Sequence, residues 1–173
     1  MRSTTTITSG SSRWITVDSM QPPFGVGLGV SIAYGSSTPN WTVQHTFDPT
    51  DGPTHPVTIA CAASATVQVT DTAHGLQAGD SVTITGSSNS LINGTFDVAT
   101  VVDANTYTYT TTSTTYNGPA QCASMRVYPH AVLVSQTSTR ADGNYAFPIY
   151  ACRIKLNSGS GTVSFTVMQG TGV

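Results

Sequence analysis

Residues 26 to 34 read VGLGVSIAY, and the alternation is unbroken. Val26, Leu28, Val30, Ile32 and Tyr34 fall on one side, and Gly27, Gly29, Ser31 and Ala33 on the other. A period of two held this long is a strand with one face on a core, because a helix would scatter the same apolar set around its circumference. The pattern recurs along the chain. WTVQHTF (41–47) groups Trp41, Val43, His45 and Phe47; YACRIKL (150–156) sets Tyr150, Cys152, Ile154 and Leu156 against Ala151, Arg153 and Lys155; TVSFTVM (162–168) aligns Val163, Phe165 and Val167. One-sided strands bury their faces by stacking sheet on sheet. The runs therefore predict an all-β chain, an antiparallel β-sandwich or jelly roll. Its expected core is Val26, Leu28, Val30, Ile32, Trp41, Val43, Ile154, Leu156, Val163 and Phe165. The Ser-Ser-Thr-Pro-Asn between the first two runs has turn chemistry and predicts a hairpin.

Composition points the same way. Of 173 residues only 8% are charged; all eight acids are Asp, and Lys155 is the single lysine. Thr and Ser supply 30 and 20 residues. Glu, Lys and Arg cover helix surfaces, whereas Thr suits a pleated one. A surface wetted by hydroxyls rather than charges belongs to a protein that lives packed against neighbours, since net charge is what keeps proteins apart. A formal charge of −2 gives no general attraction for nucleic acid or an anionic membrane. No apolar run reaches the about eighteen residues a bilayer span needs. MRSTTTITSGSSRW lacks the apolar stretch of a secretory signal, so no export is expected. The sequons at Asn40 and Asn93 then carry no weight.

Two breaker clusters, DPTDGPTHP (48–56) and NGPAQ (117–121), bracket a Thr-rich segment of short strands. This predicts a discontinuous host β-domain, residues 1–56 and 123–173, with a small β-module, residues 57–122, spliced into one loop. Cys61 and Cys122 fall near the ends of the module, which brings them close enough to consider a disulfide. Cys152 completes the set, no pair has metal-ligand spacing, and a reducing compartment favours three free thiols.

Within the module, HGLQAGDSVTITG (74–86) is followed by NGTFDV (93–98) and DANTYTYT (103–110). His74, Gly75, Gly79 and Asp80 have the character of turn residues. The glycines sit where unusual backbone angles are needed, and a short acceptor precedes the alternating Val82 and Ile84. These spaced elements resemble a small β-module of tailed-bacteriophage structural proteins, over roughly a third of the chain. PPFGVGLGV with WTVQHTFDP, and RADGNYAFPIYACRIKL, also look like small virion proteins. The resemblance implies a virion component assembled in the bacterial cytoplasm. The module occurs in tail, neck and capsid-associated proteins alike.

Catalysis finds no footing. Serines and aspartates are abundant enough that some Ser-His-Asp combination always exists, and no GxSxG elbow selects one. His45 lies on a core face, and His55 and His130, beside prolines, are expected in loops. Asp48 and Asp51 offer two oxygens without the further ligands of a calcium loop, so a capped turn is expected and no metal. No cofactor is expected either. Arg153 and Lys155 read as a solvated face, and Asp142-Gly143-Asn144 as a tight turn.

The expected function is a non-enzymatic virion structural protein. Most suited is a capsid decoration (cement) protein that binds the major capsid protein lattice as a homo-oligomer, a dimer or trimer, through Gly27, Gly29, Ser31 and Ala33. The alternatives are a tail, fibre, collar or neck component touching host glycans through Trp14, Trp41, Tyr107, Tyr109 or Tyr116, and a secreted adhesin. The chain has no heptads or fixed repeat of the kind a fibre shaft carries.

Overall fold

The computed structural model describes residues 1–21 and 24–170. Pro22 and Pro23 of the PPFGVGLGV stretch lie outside them. The chain is all-β: no helix occurs among the described residues, and every strand ladder is antiparallel. In chain order the strands are β1 (Arg2–Ile7), β2 (Ile15–Thr16), β3 (Val26–Tyr34), β4 (Asn40–Thr46), β5 (His55–Thr70) and β6 (Ser81–Thr85). Then follow β7 (Gly94–Asp103), β8 (Thr106–Met125), β9 (Tyr128–Pro129), β10 (Arg140–Tyr145), β11 (Ala151–Ser158) and β12 (Gly161–Gln169).

The strands fall into two compact units, Met1–Thr50 with Tyr128–Val173, and Asp51–Val127. The first unit is a sandwich of two four-stranded sheets, ordered β1-β12-β3-β10 and β2-β11-β4-β9. Their inner faces share one apolar cluster that contains all ten residues expected in the core. The period-two runs form because each strand sees hydrocarbon on one side only.

Several local expectations are corrected. β3 and β4 do not form a hairpin: β3 pairs with β12 and β10, and β4 with β11 and β9, in opposite sheets. Each presents its apolar side to the same core, which two strands can do from facing sheets as well as side by side. Tyr34 and Phe47, at the ends of their alternating runs, are 57% and 50% exposed. Asp142, Gly143 and Asn144 stand inside β10, opposite Gly29, Leu28 and Gly27. Gly143 fits there without displacing Leu133, whose Cδ1 an added Cβ would meet at 2.8 Å. Arg153 is buried, its guanidinium 4.5 Å from the Trp14 ring centroid and its Nε donating to Gln44 Oε1 at 2.8 Å.

The second unit is one sheet, β5-β8-β6-β7, with a further ladder from β7 to β8. β6 pairs with the last residues of β8 and β7 with the first, so the three strands close a circuit, while β5 follows the other edge of β8. Its core holds Val57, Ile59, Val67, Val69, Val82, Ile84, Tyr107 and Tyr109. NGPAQ lies inside β8 and is no loop. Pro119 stands opposite Thr58 of β5, and because β6 pairs only from Gln121 onward the other edge of β8 is open at this point, a setting in which proline is tolerated. Cys61 stands opposite Tyr116 and Cys122 opposite His55, roughly 20 Å apart along the strand. All three cysteines are free and buried.

Candidate functional site

Four places in the two units carry side chains with chemistry to offer. The first is the outer face of the β1-β12-β3-β10 sheet. β3 contributes Gly27, Gly29, Ser31 and Ala33, and β12 beside it contributes Thr162, Ser164, Thr166 and Met168. Neither interior strand carries a charge on this face. The charged residues, Arg2 on β1 with Arg140 and Asp142 on β10, are confined to the edge strands. Thr4 and Thr166 hydroxyls bond across the ladder at 3.0 Å. Met168 leans over Gly27, with its Cε 3.8 Å from where a Cβ would stand, whereas nothing comes closer than 4.0 Å at Gly29. β3 has both edges paired, so any contact it makes goes through its face and not through free backbone groups.

The second is the turn at His74 to Asp80. His74 is half-buried: its Nδ1 accepts the Leu76 amide at 3.0 Å, and its Nε2 lies 3.0 Å from the Asp103 carbonyl, to which it donates. Asp80 is buried; Oδ2 accepts the Gln77 amide at 2.7 Å and Oδ1 the Val127 amide at 2.8 Å. Gly75 and Gly79 have φ of 62° and 94°, in the region that favours glycine. Each acceptor is thus taken up by backbone, and the turn presents no open pair for proton transfer.

The third is an aromatic patch on the first unit. Phe47, Tyr128 and Phe147 are 50%, 41% and 47% exposed and ring the buried His45 and Tyr145. Burial, with a smaller push from His130, lowers the His45 pKa to about 4, so its ring is neutral at physiological pH. The aromatic side chains named from sequence are elsewhere. Trp41, Tyr107 and Tyr109 are fully buried, Trp14 lies under Arg153, and the Tyr116 hydroxyl donates to the Pro119 carbonyl at 2.8 Å. Alternation groups Phe47 with Trp41, Val43 and His45 on one side of its run. Its exposure follows from its place one residue beyond the end of β4.

The fourth was not visible in the sequence. His55 opens β5, and its Nε2 is 3.0 Å from Asp71 Oδ1. Cys122 stands across the ladder from His55, its Sγ 3.3 Å from the Tyr107 hydroxyl. Burial above all pushes the Cys122 thiol up to about 11; Tyr107 opposes this and the Asp71 charge adds to it. A thiol so placed lacks the lowered pKa and the exposure that mark reactive cysteines. His130, expected in a loop, does follow β9, but it is buried and bonds backbone on both ring nitrogens. The Asp48 amide donates to Thr46 Oγ1 at 3.0 Å, a local turn bond.

No family model and no curated protein matches the chain. Among solved structures, Phage phi92 endosialidase superposes with a TM-score of 0.35 at 19% identity, over 66% of this chain and 20% of that one. This chain therefore spans about a fifth of that protein's length. So loose a likeness assigns neither an activity nor a place in a virion.

Proposed function

We propose that the chain is a non-enzymatic structural protein of a tailed-bacteriophage virion, a decoration protein seated on the major capsid protein lattice. The observation that carries this reading is the outer face of β12 and β3. Its two interior strands are uncharged, built from Thr, Ser, Gly and Ala with Met168 at one end, and charges stand on the edge strands alone. Such a face has no charged group to desolvate on contact, and its small residues let a second surface approach closely, while charged edges discourage strand-to-strand aggregation. The resemblance of the HGLQAGDSVTITG and NGTFDV elements to phage modules supports the virion setting. The face suits a closed homo-oligomer, a dimer or trimer, and further contact with capsid protein. His74 and His130 bound to backbone, His45 ringed by aromatics, and the buried Cys122 support a role without catalysis.

The exposed Phe47, Tyr128 and Phe147 favour a second reading, a tail, collar or neck component that stacks host glycans. Quantitative protein staining of purified virions separates the two. Copies in proportion to the major capsid protein are expected for decoration. Only a small ring's worth of copies, together with glycan binding lost in Phe47→Ala and Tyr128→Ala, would replace it with the second reading.

A further inference from the structure

The two ends of β5 meet. His55 is its first residue and Asp71 follows its last, yet their side chains touch at 3.0 Å. Drawn out straight, a strand of this length would hold its ends roughly 50 Å apart. Irregularities between Cys61 and Thr66 break the ladder to β8 and let the strand coil back on itself. Cys122 faces the same point from β8, and the ligating atoms of His55, Asp71 and Cys122 all lie within 4.8 Å of one another.

We propose that these three residues form a binding site for one divalent cation of the zinc class, held by the His55 imidazole, the Asp71 carboxylate and Cys122 Sγ. Water fills the fourth position. The donor set decides the class. A thiolate with an imidazole suits a borderline-soft ion, whereas calcium and magnesium take oxygens. Bond lengths of about 2.0–2.3 Å place tetrahedral ligand atoms about 3.3–3.7 Å apart, which small side-chain rotations reach from the present spacing.

A second, independent observation concerns Asp71. It is 5% exposed, and its Oδ2 is buried with no hydrogen-bond partner. A carboxylate oxygen in that position is costly unless something positive meets it. The His55 side chain is 43% exposed, so an ion and its water reach the site from the imidazole side, while Cys122 is sealed beneath. The Tyr107 hydroxyl, 3.3 Å from Sγ, is placed to donate to the thiolate. Binding ties both ends of β5 to β8 and releases the thiol proton to solvent.

The test uses the 173-residue chain, stripped with a chelator and titrated with Co²⁺ as a spectroscopic probe. One Co²⁺ per chain is expected, with tetrahedral d–d bands and a sulfur-to-cobalt charge-transfer band, all displaced by Zn²⁺. Zn²⁺ should raise the Tm and Ca²⁺ should not. Cys122→Ser should abolish the charge-transfer band, whereas Cys61→Ser and Cys152→Ser keep it. His55→Ala, at a half-exposed position, and Asp71→Asn should each weaken Co²⁺ binding by more than the ~10–100-fold typical of losing an outer partner. These two variants decide the matter if Cys122→Ser does not fold. A folded wild type without the charge-transfer band, a Tm indifferent to Zn²⁺, or undiminished binding in His55→Ala and Asp71→Asn would overturn the proposal.

Discussion

Two histidines in this chain stand in for turn backbone. His74 accepts one amide on Nδ1, and His130 accepts those of Val132 and Leu133 at 3.1 Å each. On Nε2 each donates to a distant carbonyl, of Asp103 and Asn144 respectively. The device needs a neutral ring, because a protonated Nδ1 cannot accept. Asp80, itself buried, does comparable work for the Gln77 and Val127 amides, so Asp80→Ala should cost about 1–2 kcal/mol, and His74→Ala, at a half-buried position, about 1 kcal/mol. Chemical denaturation with unchanged m-values would register both losses. His45 supplies the pH dependence. Its folded pKa is depressed from 6.5 to about 4, first by burial and then by His130, so the unfolded chain takes up the proton first. Its contribution to stability is complete above about 6.5 and is lost as pH falls from there toward about 4. The Tm should therefore fall over that interval, and His45→Phe, which keeps a ring of similar size, should flatten the fall.

At the scale of elements, the strands whose partners lie in the core were readable, and those governed by distant pairing were not. VGLGVSIAY, WTVQHTF and TVSFTVM declare themselves by alternation, because burial on one face writes a period of two into the chain. Asp142-Gly143-Asn144 has the composition of a turn but becomes strand, since β3 supplies a ladder and Leu133 fills the space a side chain would take. Pro119 likewise looked like a breaker, and its context on an unpaired edge is invisible without the neighbour. The His55, Asp71 and Cys122 cluster failed for the same reason: its members are far apart in sequence and only the coiling of β5 joins them. The turn from β11 to β12 is the sharpest steric constraint. Gly159 has φ of 87°, and a Cβ there would meet Pro39 Cα at 2.7 Å and the Thr38 carbonyl closer still. Gly159→Ala should cost about 2 kcal/mol or more, through strain and displacement of the Thr38–Pro39 segment. Thermal unfolding measures it, and a loss below that expected from an exposed loop would refute the packing account.

For the whole molecule, the scarcity of charge bears on how copies would meet. If the face of β3 and β12 joins subunits, the contact is neutral, so light scattering should show an oligomer whose mass barely responds to salt. Ser31→Arg puts a charge at the centre of that face and should release monomers; a monomeric wild type would remove the face from consideration. The module has a quieter effect on its host. Its first strand and its last lie side by side, with His55 directly opposite Cys122. To the remainder of the chain the whole insertion is therefore a loop with nearly coincident ends, and closing it costs little more entropy than closing a turn. Were the module to melt, the host would have to close a long flexible loop instead, at an added cost of roughly 2–3 kcal/mol from the logarithmic dependence on loop length. The two units thus share a thermodynamic fate through the chain itself: a core substitution in the module such as Val82→Asp should lower the host's own melting temperature, and replacing the module with a short turn should restore it.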